Sequence, residues 1–128
     1  MTVLEWLVLA VFIYFVNIGV QAVFANLRYS PGTLLGSRDD FAPDGIGLMR
    51  ARRAQANFTE AMVMFAPLAL AAHVTGADPG LASLGGAIFA ISRAAYLIVY
   101  VAGTPVIRSL VWGAGLIGTG MVGWAVIG

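Results

Sequence analysis

Long apolar runs alternate along the chain with short clusters of polar and turn-forming residues. Four runs come close to the ~20 apolar residues that cross a ~30 Å hydrocarbon core: about residues 6–26, 49–72, 81–101 and 107–127. The pattern predicts an all-α membrane protein, a four-transmembrane-helix bundle with residues 1–128 as a single domain. Residues 28–48 hold Pro31-Gly32, Ser37-Arg38-Asp39-Asp40 and Pro43-Asp44-Gly45, so they read as a polar loop with room for a short interfacial segment. Residues 73–80 and 102–105 read as tight turns around Asp78-Pro79-Gly80 and around Gly103 and Pro105. The first span lacks a basic leader, and its apolar run is too long for a cleavable signal.

The polar positions inside the spans carry the functional information. Arg50, Arg53, Asn57 and Glu60 are spaced three, four and three apart at the start of the second span. At ~100° per residue they share a stripe roughly 80° wide, while Arg52 and Gln55 fall on other faces. In the third span Arg93, Tyr96 and Tyr100 share a face, and Arg108 and Ser109 follow just after Pro105. The start of the second span, the end of the third and the start of the fourth lie at one membrane level. A closed bundle therefore brings Arg, Asn, Glu and Tyr side chains together there, which is the candidate site. Ionisable groups inside a bilayer are costly and usually face a bundle interior or a watery cavity.

Composition sharpens this picture. The chain is 60% hydrophobic and 10% charged, with mean hydropathy +0.90, which is an integral-membrane balance. All seven basic residues are Arg against six acidic ones. The net charge of +1 gives no footprint for a nucleic-acid partner. With no Cys and a lone His73, no protein-only metal site and no cysteine nucleophile is expected. Arg28, Arg38, Arg50, Arg52 and Arg53 cluster on or beside the first connection, and Arg108 lies past the third. By the positive-inside rule both connections are cytoplasmic and both termini are outside. The Lys-free, Ala/Gly/Arg-rich composition points to a GC-rich bacterium and its inner membrane, with the termini periplasmic.

Two further features concern packing. Gly86, Ala90 and Ala94 in the third span, and Gly115, Thr119 and Gly123 in the fourth, recur every four residues, a spacing that lets helix backbones approach closely in lipid. Such a stripe serves contacts within a subunit or between subunits equally well. Pro67 removes a backbone donor inside the second span and predicts a kink. Pro105 suits the first turn of the fourth helix. The match of Asn57-Phe58-Thr59 to a glycosylation acceptor falls on a membrane helix and is read as chance.

Several guanidiniums favour carboxylate or phosphate, since Arg presents a planar fork to either. Glu60 favours a cationic group, and Tyr96 and Tyr100 donate hydrogen bonds or stack. A small zwitterion with surplus carboxylate satisfies the whole set. The other reading is structural: Arg53 with Glu60, or Arg93 with Glu60, pair to hold helices together. The arginine surplus favours a ligand, because one Glu cannot neutralise it. Arg52, Arg38 and Arg28 are expected at headgroups or water, His73 at a helix end, and Glu5 as an exposed terminal charge.

The order Arg53-Ala54-Gln55-x-Asn57-x-x-Glu60, with Phe65 and Pro67 after it, resembles the second-helix signature of the MAPEG family, the membrane-associated proteins of eicosanoid and glutathione metabolism. Arg93-x-x-Tyr96-x-x-x-Tyr100-x-x-Gly103, then Pro105-x-x-Arg108-Ser109, resembles its third-to-fourth helix signature, and the prokaryotic branch is the nearest in kind. The resemblance implies a homotrimer with glutathione in a cleft between neighbouring subunits, near the cytoplasmic side. It implies that Asn57 and Glu60 bind the polar backbone of glutathione, and that Tyr100 contacts it. Arg108 and Ser109 match the pair beside the sulfur, with Arg108 the candidate catalytic residue favouring thiolate. Arg53 and Arg93 match positions that brace or line the cleft, and Arg28 matches a further carboxylate-binding Arg. The departures are Ala56, where several glutathione-using members carry Arg, and Gln55, where those members often carry His. Loss of an Arg fork removes about 1.5–3 kcal/mol of charge-assisted bonding.

A chain without cysteine can borrow its nucleophile from glutathione. A thiol with pKa about 8.5 is mostly protonated at neutral pH, and a neighbouring cation favours its thiolate. Three function classes follow. The first is a glutathione-binding membrane enzyme, transferase-like or peroxidase-like, acting on a lipophilic small molecule drawn from the membrane lipid. The second is a non-catalytic protein of the same fold that binds lipid or another small anion, for which Ala56 argues. The third is a small multidrug-type transporter. That class expects a mid-span Glu in the first helix, whereas Glu5 stands at its start and Glu60 lies in the second among arginines.

Overall fold

The structure, a computed structural model, describes residues 1–36 and 45–128. Arg38 and the turn residues Ser37, Asp39, Asp40, Pro43 and Asp44 lie outside the described residues. The elements are α1 (Val3–Arg28), the short α2 (Pro31–Leu35), α3 (Ile46–Thr75), α4 (Pro79–Ala102) and α5 (Pro105–Ile127). No strand occurs among the described residues. The protein is thus all-α, and α1, α3, α4 and α5 are each long and apolar enough to cross a membrane. Half of the apolar stretch of α4 is buried, against 17–22% for the other three. α4 is the central helix.

The helix ends follow from local chemistry. Thr2 caps α1 in a capping box: its hydroxyl accepts from the Glu5 amide at 3.2 Å, and the Glu5 carboxylate accepts from the Thr2 amide at 2.7 Å. Glu5 is therefore exposed, as expected, but it has a capping role. α3 starts three residues before the expected span, directly after Gly45 at φ 93°. It ends at Gly76 in the left-handed region. Asp78-Pro79-Gly80 is a helix start as much as a turn. The Asp78 carboxylate accepts from the amides of Gly80 and Leu81, and Pro79 occupies the first helical position. Pro105 does the same in α5.

The core is a layer of aromatic and small residues. Phe65 stacks on Phe89 at 3.9 Å, and Phe58 meets Phe89 edge-on at 6.4 Å. Ala10, Ala69, Ala90 and Val122 close the layer. A smaller cluster of Ala54, Tyr96 and Leu97 lies nearer the arginine-bearing end, with Val20, Tyr100 and Val111 against it. α4 and α5 share the most extensive helix contact.

They cross at a different pair from the one the small-residue spacing suggests. A Cβ on Gly118 would sit 2.6 Å from the Gly85 carbonyl oxygen, and one on Gly85 would sit 2.6 Å from that of Gly118. Gly86 instead receives Trp6 of α1, and Gly123 only loosely meets Leu68 of α3. A four-residue repeat marks a close-packing face, but neighbours on two sides compete for it.

Candidate functional site

Among the described residues Arg93 is the largest side chain that is almost fully buried, at 1% exposure. It lies near the middle of α4, where a desolvated charge costs several kcal/mol unless partnered. The protein supplies neutral partners. Arg93 Nη1 donates to Asn57 Oδ1 of α3 at 2.8 Å. Its guanidinium lies over the rings of Tyr96, Phe58 and Phe89, at 4.6, 5.7 and 5.9 Å from their centroids. Space for the group depends on α5: a Cβ on Gly115 would lie 3.5 Å from Nη2 and 2.9 Å from Ser92 Oγ. Among the described residues no carboxylate pairs with Arg93, and its Nε has no hydrogen-bond partner.

A pocket of about 110 Å³ opens onto this guanidinium between α3, α4 and α5. Asn57, Glu60, Arg93 and Thr119 form its polar lining, and Met64, Phe89, Trp112 and Leu116 are among its apolar lining. Asn57 has spent its carbonyl on Arg93 and keeps its Nδ2 hydrogens. Glu60 is exposed and, among the described residues, makes no ion pair or hydrogen bond. It stands at the middle of the 30-residue α3, where a lone carboxylate facing lipid costs a few kcal/mol. Unpartnered donors on one side and an unpartnered carboxylate on the other suit a ligand carrying both carboxylate and ammonium. The alternative structural pairing of Arg93 or Arg53 with Glu60 does not form among the described residues. Asn57 takes Arg93, and Arg53 is exposed without a partner among the described residues.

Beyond Arg93 the rings continue toward the arginine-bearing end. Tyr96 and Tyr100 are 5.5 Å apart, tilted by 49°, and Arg108 of α5 lies 5.0 Å over the Tyr100 ring. Two guanidiniums thus bracket two linked tyrosines.

A model of the MAPEG family matches residues 3–128, nearly the whole chain. The chain belongs to the MAPEG family. No curated protein and no solved structure matches it. The family includes glutathione-dependent transferases and peroxidases.

In this MAPEG protein the candidate residues fall into three groups. Asn57, Glu60 and Arg93 line one pocket. Tyr96, Tyr100 and Arg108 form the adjoining stack. Arg53, Ser109 and Arg28 join neither. Ser109 is exposed and bonds back to the Pro105 carbonyl at 3.1 Å. Arg28 lies at the α1–α3 junction against Gly45, lining a separate cavity of about 320 Å³ with Phe24 and Leu48. Arg50 packs over the α4–α5 turn, its guanidinium within 2.7–2.9 Å of where a Gly103 Cβ would be. His73 lies in the last turn of α3, as expected.

Sequence reasoning missed several participants. Trp112, one of two tryptophans in the fourth apolar run, gave no signal. Gly115 and Thr119 appeared only as a packing stripe. Asn17 of α1 is 1% exposed with its Oδ1 unpartnered; a single amide between Tyr14 and Val20 was the available sign. Gln55, on another face of α3, donates to the Tyr14 hydroxyl at 3.4 Å, which in turn meets Thr59 Oγ1 at 2.8 Å. These three clasp α1 to α3.

Proposed function

We propose that this protein is a glutathione-binding membrane enzyme, transferase-like or peroxidase-like, that activates the glutathione thiol toward a lipophilic electrophile. The observation that carries the reading is the buried, carboxylate-free Arg93 with an open Nε, sharing a pocket with Asn57 and unpaired Glu60. Glutathione, when bound, supplies the nucleophilic thiol that the cysteine-free chain lacks. Arg93 and the Asn57 amide N–H groups donate to a carboxylate of the ligand, and Glu60 accepts from its ammonium group. Arg108 provides the cation beside the sulfur, where a positive charge favours thiolate. Met64, Leu116 and Trp112 form an apolar wall through which a bilayer-dissolved partner approaches.

The pocket of about 110 Å³ is well below the ~300–1,000 Å³ typical of a site that encloses a small ligand. Arg53 and Glu60 also lie on an outward face. Both support a site completed by a neighbouring copy, in keeping with the homotrimer and intersubunit cleft that the family resemblance implies. By the positive-inside argument the arginine-bearing end is cytoplasmic, and the Lys-free, Ala/Gly/Arg-rich composition points to a bacterial inner membrane with periplasmic termini. Calorimetric titration of detergent-solubilised protein with millimolar glutathione tests the reading. Binding by wild type and its loss in Glu60→Ala are expected, and a flat wild-type titration overturns it.

One observation favours a second reading. Ala56 is exposed on α3 and offers no fork where several glutathione-using members carry Arg. A non-catalytic protein of this fold binding lipid or another small anion would retain a lipid in native mass spectrometry and turn over no electrophile.

A further inference from the structure

The side chain of Arg108 leaves the first turn of α5 with neither a hydrogen bond nor an ion pair among the described residues. A half-buried arginine in that condition keeps several rotamers open. What it does have is a ring: its guanidinium carbon lies 5.0 Å from the Tyr100 centroid. The Tyr100 hydroxyl makes no hydrogen bond among the described residues, so the contacts of this tyrosine are made by its ring face. That ring rests on buried Tyr96, which is held in turn under Arg93.

The backbone between the two residues is equally determined. Gly103, at φ 81°, donates to the carbonyls of Val99 and Tyr100, and the Arg108 amide donates to Thr104 at 3.0 Å. The Arg50 guanidinium occupies the space a Gly103 side chain would take. The turn therefore sets Tyr100 and Arg108 at a constant separation, and the ring does the rest.

We infer that Tyr100 is a positioning residue for Arg108, acting through the face of its ring and braced by Tyr96, rather than through its hydroxyl. This rests on the proposed glutathione reading, and it adds a division of labour. The hydroxyl governs at most how tightly ligand binds, whereas the ring governs how much of the bound thiol is thiolate.

The test compares wild type, Tyr100→Phe and Tyr100→Leu by the thiolate absorbance of bound glutathione at neutral pH, normalised to calorimetric occupancy. Tyr100→Phe should keep the thiolate fraction of whatever it binds. Tyr100→Leu should lose it on the order of fivefold, as expected for removal of one ring–cation contact. In parallel, phenylglyoxal labelling of Arg108 read by mass spectrometry should accelerate in Tyr100→Leu and not in Tyr100→Phe. If the leucine variant does not fold, the phenylalanine variant decides alone, because loss of its thiolate fraction overturns the inference. Equal thiolate fractions in all three proteins overturn this inference but leave glutathione binding standing. No glutathione binding by wild type sinks both.

Discussion

Replacing Gly118 by Ala adds one methyl group at the close crossing of α4 and α5. That carbon would sit 2.6 Å from the Gly85 carbonyl oxygen, 2.8 Å from the Phe89 nitrogen and 3.2 Å from Ile88 Cβ, where ordinary contact begins at 3.4 Å. Two of the three obstacles are backbone atoms of α4, which cannot rotate away, so the helices themselves must part. Overpacking of this kind costs about 1–3 kcal/mol. Gly120→Ala is the matched control, two positions along the same helix with nothing within 4 Å of its Cβ. There the substitution should stabilise by roughly 0.5–1 kcal/mol, because alanine loses less backbone freedom in a helix. Thermal unfolding followed by circular dichroism in one detergent should place Gly118→Ala below wild type and Gly120→Ala at or above it. Since Gly115 and Thr119 of α5 line the pocket opposite Phe89 and Arg93 of α4, Gly118→Ala should also weaken glutathione binding. A Gly118→Ala protein as stable as Gly120→Ala would refute the close helix crossing.

Arg93→Lys should bind glutathione at least tenfold more weakly by calorimetry, because a point charge replaces a planar fork that serves Asn57 and a ligand at once. Glu60→Gln should leave the unfolding midpoint at or above that of wild type, since Glu60 has no ion pair among the described residues to lose and a neutral amide relieves the cost of a lone mid-span carboxylate. It should nonetheless weaken glutathione binding several-fold in the same titration. Thr2→Ala removes the hydroxyl half of the capping box and should cost about 1 kcal/mol. The loss should be seen as faster hydrogen exchange in the first turn of α1, with ligand binding untouched.

The four spans were legible because length and apolarity alone identify a bilayer-crossing helix. Site chemistry was legible to the extent that helical spacing groups residues on a face. It was not legible which part of a face is inside. The stripe of Arg50, Arg53, Asn57 and Glu60 is one face by angle, yet Asn57 reaches Arg93 while Arg53 and Glu60 point outward. A stripe roughly 80° wide is broad enough to straddle the edge of a helix–helix contact. The protein partner of Arg93 was not legible for a similar reason. Charge favoured Glu60, but a buried guanidinium takes whichever acceptor its reach and the local packing allow, and here that is a neutral amide. The Gly85–Gly118 crossing was hidden because adjacent glycines at 85 and 86 serve two different neighbours. Only the assembled bundle distributes them.

The caged guanidinium of Arg93 also bears on how the chain is made. A helix with arginine at its centre partitions from the translocon into lipid about 2.5–3.5 kcal/mol less readily than one without. For α4 that penalty is relieved by the Asn57 carbonyl and the Phe58 ring, both carried by α3, which leaves the ribosome first. The third and fourth elements are thus matched for entry as a hairpin, with the earlier one waiting at the lateral gate as a polar escort for the later.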